Sequence, residues 1–71
     1  MVIEFRSLWP GLIGRDVREA VQICVRQRPD IRIVRVLGPG DNLSPLPPGV
    51  IRLIVYNDNF HRVLPPGPYI G

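Results

Sequence analysis

The sequence predicts an α+β fold, a single helix packed on a small β-sheet, and three observations carry it. Residues 17–28 place apolar side chains at helical spacing behind a capping signal. Residues 31–37 and 50–56 are short and rich in Ile and Val, which is strand character. Residues 38–49, between those strands, are rich in Pro and Gly and too long for a tight hairpin.

The first element is a turn-rich apolar segment, Trp9-Pro10-Gly11-Leu12-Ile13-Gly14. Trp9 is its core anchor, because an indole hides so much area. Asp16 then caps the helix: its carboxylate accepts from the free backbone donors of the first turn. Glu19, three residues on, is placed to reach back, a capping box in its Asp form. Val17, Ala20, Val21, Cys24 and Val25 form one apolar stripe, and Pro29 stops the helix. The lone cysteine lies in that stripe and reads as a buried small hydrophobe, not a nucleophile.

In the second strand Ile51, Leu53 and Val55 share one face, while Val50, Arg52, Ile54 and Tyr56 share the other. The expected core is Trp9, Val17, Ala20, Val21, Cys24, Ile51, Leu53 and Val55. If the odd positions bury against the helix, Arg52 points the other way, beneath the connection, where it can donate to loop carbonyls or to Asp41. Asn57-Asp58-Asn59 is a turn, residues 61–64 suit a short edge strand, and His61 is expected to be exposed.

The connection is the most informative segment. A dozen or so residues permit a parallel pairing of the strands it joins. A loop of this length without structure of its own is usually functional. Pro45, Pro47 and Pro48 fix their own φ angles and bias Ser44, Leu46 and Pro47 to extended geometry. Glycines at 38, 40 and 49 supply turns at the ends. The middle is therefore an extended projecting strip carrying Leu43, Ser44, Pro45 and Leu46, the conformation that a protease cleft or a proline-binding groove selects.

Composition narrows the classes. A chain of 71 residues is one small domain, and such a chain buries only about 60% of its unfolded surface. With 45% hydrophobic and 21% charged residues it is globular, not disordered. One Cys and one His exclude an internal disulfide and argue against a metal site; no cofactor is expected. No apolar run approaches a membrane span, and no signal peptide is expected. The net charge of +3 comes from nine arginines with no lysine. They are scattered, without a basic run or interleaved aromatics, so they read as solvated surface and nucleic acid is not the expected partner. Ser44 has no base in view and His61 alone makes no triad, so the chain is not expected to be an enzyme.

These motifs resemble the potato inhibitor I family. That family opens its domain with Trp/Phe-Pro-x-Leu/Val-Val-Gly-Lys-x-Val-x-x-Ala, and this chain has Trp9-Pro10-Gly11-Leu12-Ile13-Gly14-Arg15-Asp16-Val17-Arg18-Glu19-Ala20. The family's second strand, Val-Arg-Leu/Val-Phe-Val/Tyr, is matched by Ile51-Arg52-Leu53-Ile54-Val55, and its Pro-x-Val-Gly ending by Pro68-Tyr69-Ile70-Gly71. From Trp9 to Val55 the match needs no gap. The resemblance implies one helix on a small mixed sheet, with a long extended binding loop, 38–49, joining two parallel strands. It also implies a monomeric serine endopeptidase inhibitor that enters a subtilisin- or chymotrypsin-like enzyme as a slowly cleaved substrate would.

The departures lie in the loop. The ungapped match puts the scissile bond at Ser44–Pro45; a one-residue shift puts it at Leu43–Ser44. Leu43 stands where the family usually has Thr, and Pro45 where it usually has an acid. Of two supporting arginine positions one is kept, at Arg52, and the other is Val50. A relative of the same fold without inhibitory activity, serving as a structural or protein-binding module, is the alternative that these changes raise.

Overall fold

The computed structural model describes residues 6–71. One turn of 3-10 helix at Pro10–Leu12 precedes the helix α1 (Val17–Gln27), and the strands are β1 (Ile33–Leu37), β2 (Arg52–Tyr56) and β3 (Tyr69–Ile70). The sheet order is β1-β2-β3, with β1 parallel and β3 antiparallel to β2. The fold is thus α+β with a mixed sheet, and the long connection joins its two parallel strands.

Asp16 caps α1: its Oδ1 accepts from the N–H groups of Arg18 at 2.9 Å and Glu19 at 3.4 Å. Glu19 does not complete a box. Its Oε1 instead accepts from Arg15 Nη1 at 2.7 Å, an exposed pair one helical turn apart. The helix ends at Gln27, where the Arg28 N–H closes on the Cys24 carbonyl at 2.8 Å and Pro29 follows. Val17, Ala20 and Cys24 are its buried line. Val21 packs against the core half-buried, whereas Val25 is exposed, because it lies at the rim of a stripe narrower than its spacing implied.

The core joins α1 to β2 through Trp9, Leu12, Val17, Ala20, Cys24, Leu53, Val55 and Val63. Each fully buried large side chain among them contributes roughly 1.5–3 kcal/mol. Ile51 is half-buried, stands one residue before β2 and is not part of the buried cluster, whereas Leu12 and Val63 are. The Trp9 ring is buried and its Nε1 donates to Gln27 Oε1 at 2.7 Å. Gly67 abuts the Trp9 backbone: at φ 93° a Cβ there would stand 2.6 Å from the Trp9 carbonyl oxygen. β2 is buried on both faces, since Ile54 and Arg52 are covered as well as Leu53 and Val55.

Residues 61–64 do not form the expected edge strand. They make single bridges, Asp16 to Arg62 and Asn57 to Val63, and the third strand is Tyr69–Ile70. The preceding turn is tied by Asp58, whose Oδ1 accepts from the N–H groups of Phe60 at 2.8 Å and Arg62 at 3.0 Å. These donors, Arg62 first, hold the Asp58 carboxyl below its usual range. His61 is exposed, at φ 60° in this turn.

The arginines are not all solvated. Arg28 and Arg52 are buried. Arg28 donates to both carboxylate oxygens of Asp30, Nε to Oδ1 at 2.9 Å and Nη2 to Oδ2 at 2.7 Å, and Nη1 donates to the Arg6 carbonyl at 2.9 Å. The fork ties the end of α1 to the incoming chain. It holds the Asp30 carboxyl down and raises Arg28, chiefly through their hydrogen bonds. Among the described residues no helix is long and apolar enough to cross a membrane.

Candidate functional site

The loop between β1 and β2 is built from two matching turns with an extended strip between them. At its start Pro39-Gly40 occupies the centre of a turn closed by the Asp41 N–H on the Gly38 carbonyl at 3.1 Å. Gly40 sits at φ 85°, the left-handed position that a Pro-Gly turn requires. The Asp41 carboxylate folds back and accepts from the Gly38 N–H at 2.7 Å. At the far end Pro48-Gly49 repeats the arrangement, with the Val50 N–H on the Pro47 carbonyl at 3.4 Å and Gly49 at φ 80°.

Between the turns no residue is helical or paired in the sheet. Leu43, Ser44 and Pro45 are exposed, and Leu46 is half-buried. Ser44 and Leu46 each precede a proline, which bars the helical region to them. The strip is therefore set by proline sterics locally, and one contact from below pins it.

That contact is Arg52, the first residue of β2. Its Nη1 donates to the Ser44 carbonyl at 2.7 Å and its Nε to the Gly71 main-chain oxygen at 3.0 Å. Arg52 as a whole is 8% exposed, so both bonds are screened little by water. The register explains its aim: Leu53 and Val55 face α1, and Arg52 and Ile54 face the opposite side. Arg52 thus reaches one loop carbonyl, and not Asp41, which closes its own turn. Val50 is half-buried and supplies no second cation beneath the strip.

Sequence reasoning brought Arg52 to the loop but missed its second anchor, the chain end at Gly71. No local signal marks Gly71. It reaches Arg52 because β3 pairs with β2, and that pairing spans two residues, Leu53 with Ile70 and Ile54 with Tyr69. The Pro-Gly dipeptides at 39–40 and 48–49 are, in contrast, a direct sequence signal for the two turns. Cys24 takes no part in any site: it is fully buried, and desolvation pushes its thiol up to about 11. A shallow apolar cleft between α1 and β1, lined by Val17, Val21, Val34 and Val36 with Arg18 and Gln22, uses none of the loop residues.

No family model matches the chain, and no curated protein matches it in sequence. Among solved structures it is similar to a bitter gourd trypsin inhibitor, at 24% identity and a TM-score of 0.78, with both chains covered over their full length. The likeness shows a shared fold: this chain has a fold that a protease inhibitor uses.

Proposed function

We propose that residues 1–71 form one domain that inhibits a serine endopeptidase of the subtilisin or chymotrypsin type, by offering Leu43, Ser44, Pro45 and Leu46 to its active site as a substrate-like strip. The observation that carries this reading is the buried Arg52 guanidinium bonded to the Ser44 carbonyl under an exposed, proline-set strip. The shared fold with a bitter gourd trypsin inhibitor supports it.

The physical logic is preorganisation. Fixing a residue's backbone costs about 1–2 kcal/mol, and a free peptide loses this on entering a cleft. A strip already closed by two Pro-Gly turns and tied from below has little left to lose, so contact energy appears as affinity. The same restraint keeps the two ends together after a cut, so religation competes with release. Arg52 is the loop support in this scheme. No cofactor or metal takes part.

The experiment is inhibition of subtilisin, chymotrypsin and trypsin by the folded domain, with complex stoichiometry and the rate of loop cleavage. One-to-one inhibition with very slow cleavage supports the reading. Absence of inhibition at roughly micromolar concentration by protein shown to be folded leaves the alternative, a non-inhibitory binding module.

A further inference from the structure

The direction of one carbonyl bears on which bond a protease would meet. Ser44 turns its carbonyl oxygen down onto Arg52 Nη1 at 2.7 Å, and Arg52 is itself buried and tied to Gly71. A serine protease attacks a carbonyl whose oxygen lies in its own oxyanion hole, within about 3 Å of that hole's donors. An oxygen held by a guanidinium inside the inhibitor points away from an enzyme approaching from outside. The Ser44–Pro45 bond is further handicapped, since its nitrogen belongs to a proline ring.

Ser44 precedes Pro45 and is held extended. Neighbouring carbonyls of an extended strand point away from one another, which, with the Ser44 oxygen turned down onto Arg52, favours the carbonyl before Ser44 as the one open to an enzyme. It belongs to Leu43, an apolar residue that stands 37% exposed. On the basis of the inhibitor reading above, we propose that the bond presented to the protease is Leu43–Ser44. Leu43 then fills the specificity pocket, and the partner is a serine protease with a large apolar pocket.

The chemistry balances without a co-reactant. The enzyme's serine oxygen adds to the Leu43 carbonyl carbon and its proton passes to the enzyme's histidine. The bond to the Ser44 nitrogen breaks, the histidine returns the proton to that nitrogen, and Leu43 remains as an acyl ester. Ser44 is now the new amino terminus, and its carbonyl is still held by Arg52. The amine therefore stays beside the ester and attacks it, restoring the peptide and releasing the enzyme's serine. Arg52 acts as a positioning residue for the leaving amine.

Two arginine substitutions and one sequencing experiment test the assignment. Leu43→Arg should convert the domain to a trypsin inhibitor, a gain on the order of 100-fold, and lose a comparable factor against chymotrypsin. Ser44→Arg should give no such gain. Protein nicked by prolonged incubation with chymotrypsin should carry a new amino terminus at Ser44. A trypsin gain in Ser44→Arg instead, or a new terminus at Pro45 or Leu46, overturns the assignment while leaving the inhibitor reading intact. If the unmodified domain and both variants are folded and inhibit none of the enzymes, the inhibitor reading fails and the assignment with it.

Discussion

Arg52 and Ser44 are linked by a 2.7 Å hydrogen bond from a buried guanidinium to an exposed residue's carbonyl. This joins β2 to the exposed strip of the loop. β2 is covered on both faces, so the base of the link has little freedom. Replacing Arg52 by Ala should cost roughly 1.5–3 kcal/mol, the value of a hydrogen bond to a charged group. Amide exchange at Asn42, Leu43, Ser44 and Leu46 should quicken while the core amides of β2 stay protected. Arg52→Lys keeps the charge but cannot span both carbonyls, and should fall between. Unchanged exchange in the strip would mean that the prolines alone hold it.

Asp16 illustrates a different kind of link, entirely local. Its carboxylate serves two amides of the first turn of α1, and Glu19 is engaged elsewhere. Asp16→Ala should therefore cost about 0.5–2 kcal/mol in denaturant titration. Glu19→Ala should cost a few tenths at most, because its partnership with Arg15 is exposed. Equal losses for the two would restore the reciprocal box.

Gly67→Ala should destabilise more than either. The residue sits at φ 93°, and a Cβ would press on the backbone of Trp9, which cannot swing aside as a side chain would. The Trp9 N–H is bonded to the Pro68 carbonyl at 2.9 Å, so any retreat breaks a further contact. A loss of about 1–3 kcal/mol is expected from the backbone conformation alone. A melting temperature equal to the parent's would show that this junction relaxes freely.

These cases mark what was legible in the sequence. Asp16, the α1 stripe, the Pro-Gly turns and the alternation of β2 are encoded within a few residues, and each was readable. Arg28 was not, because its third partner, the Arg6 carbonyl, is 22 residues away and only tertiary packing brings it close. The alternation of β2 separates Leu53 and Val55 from Arg52 and Ile54 and places Arg52 beneath the loop, but it does not tell that the loop and Gly71 bury this second face as fully as the first. Val63 lies in a segment whose pattern suits an edge strand, yet it is core, since the stretch after the Asp58 turn docks on residues 14–17 instead of extending the sheet. At the loop, the aim of Arg52 followed from β-strand alternation. Which carbonyl it would take depended on the path of the strip, which no local rule fixes.

Cys24 yields an alkaline prediction. Its thiol is raised from 9.0 to about 11 by burial, so the fold favours the neutral form. The sign follows: this contribution is whole below the unfolded value and is lost as pH rises through the folded one. Stability should fall between pH 9 and about 11, and Cys24→Ala should flatten that limb. In native buffer near neutrality the thiol should react with a maleimide at least about 100-fold more slowly than in denaturant, because both burial and the scarcity of thiolate oppose it. Labelling at the denatured rate would contradict its place in the core.

Asp58 and Asp30 yield the acid counterpart. Both carboxyls are held below the usual 3.8, Asp58 chiefly by the Arg62 backbone N–H and Asp30 chiefly by the Arg28 fork. A depressed folded pKa means that the stabilisation is present above the unfolded value and is lost as pH falls through the folded one. Stability should thus be level down to about pH 4 and then decline. The two groups separate by substitution. Asp58→Asn keeps an oxygen to accept from the Phe60 and Arg62 amides, so the turn should survive at neutral pH with a shallower acid limb. Asp30→Asn removes the second oxygen from Arg28, a buried guanidinium, so it should lose stability at neutral pH as well. Denaturant titrations at pH 7 and pH 3 give both differences. An acid limb as steep in Asp58→Asn as in the parent would place the titrating group elsewhere.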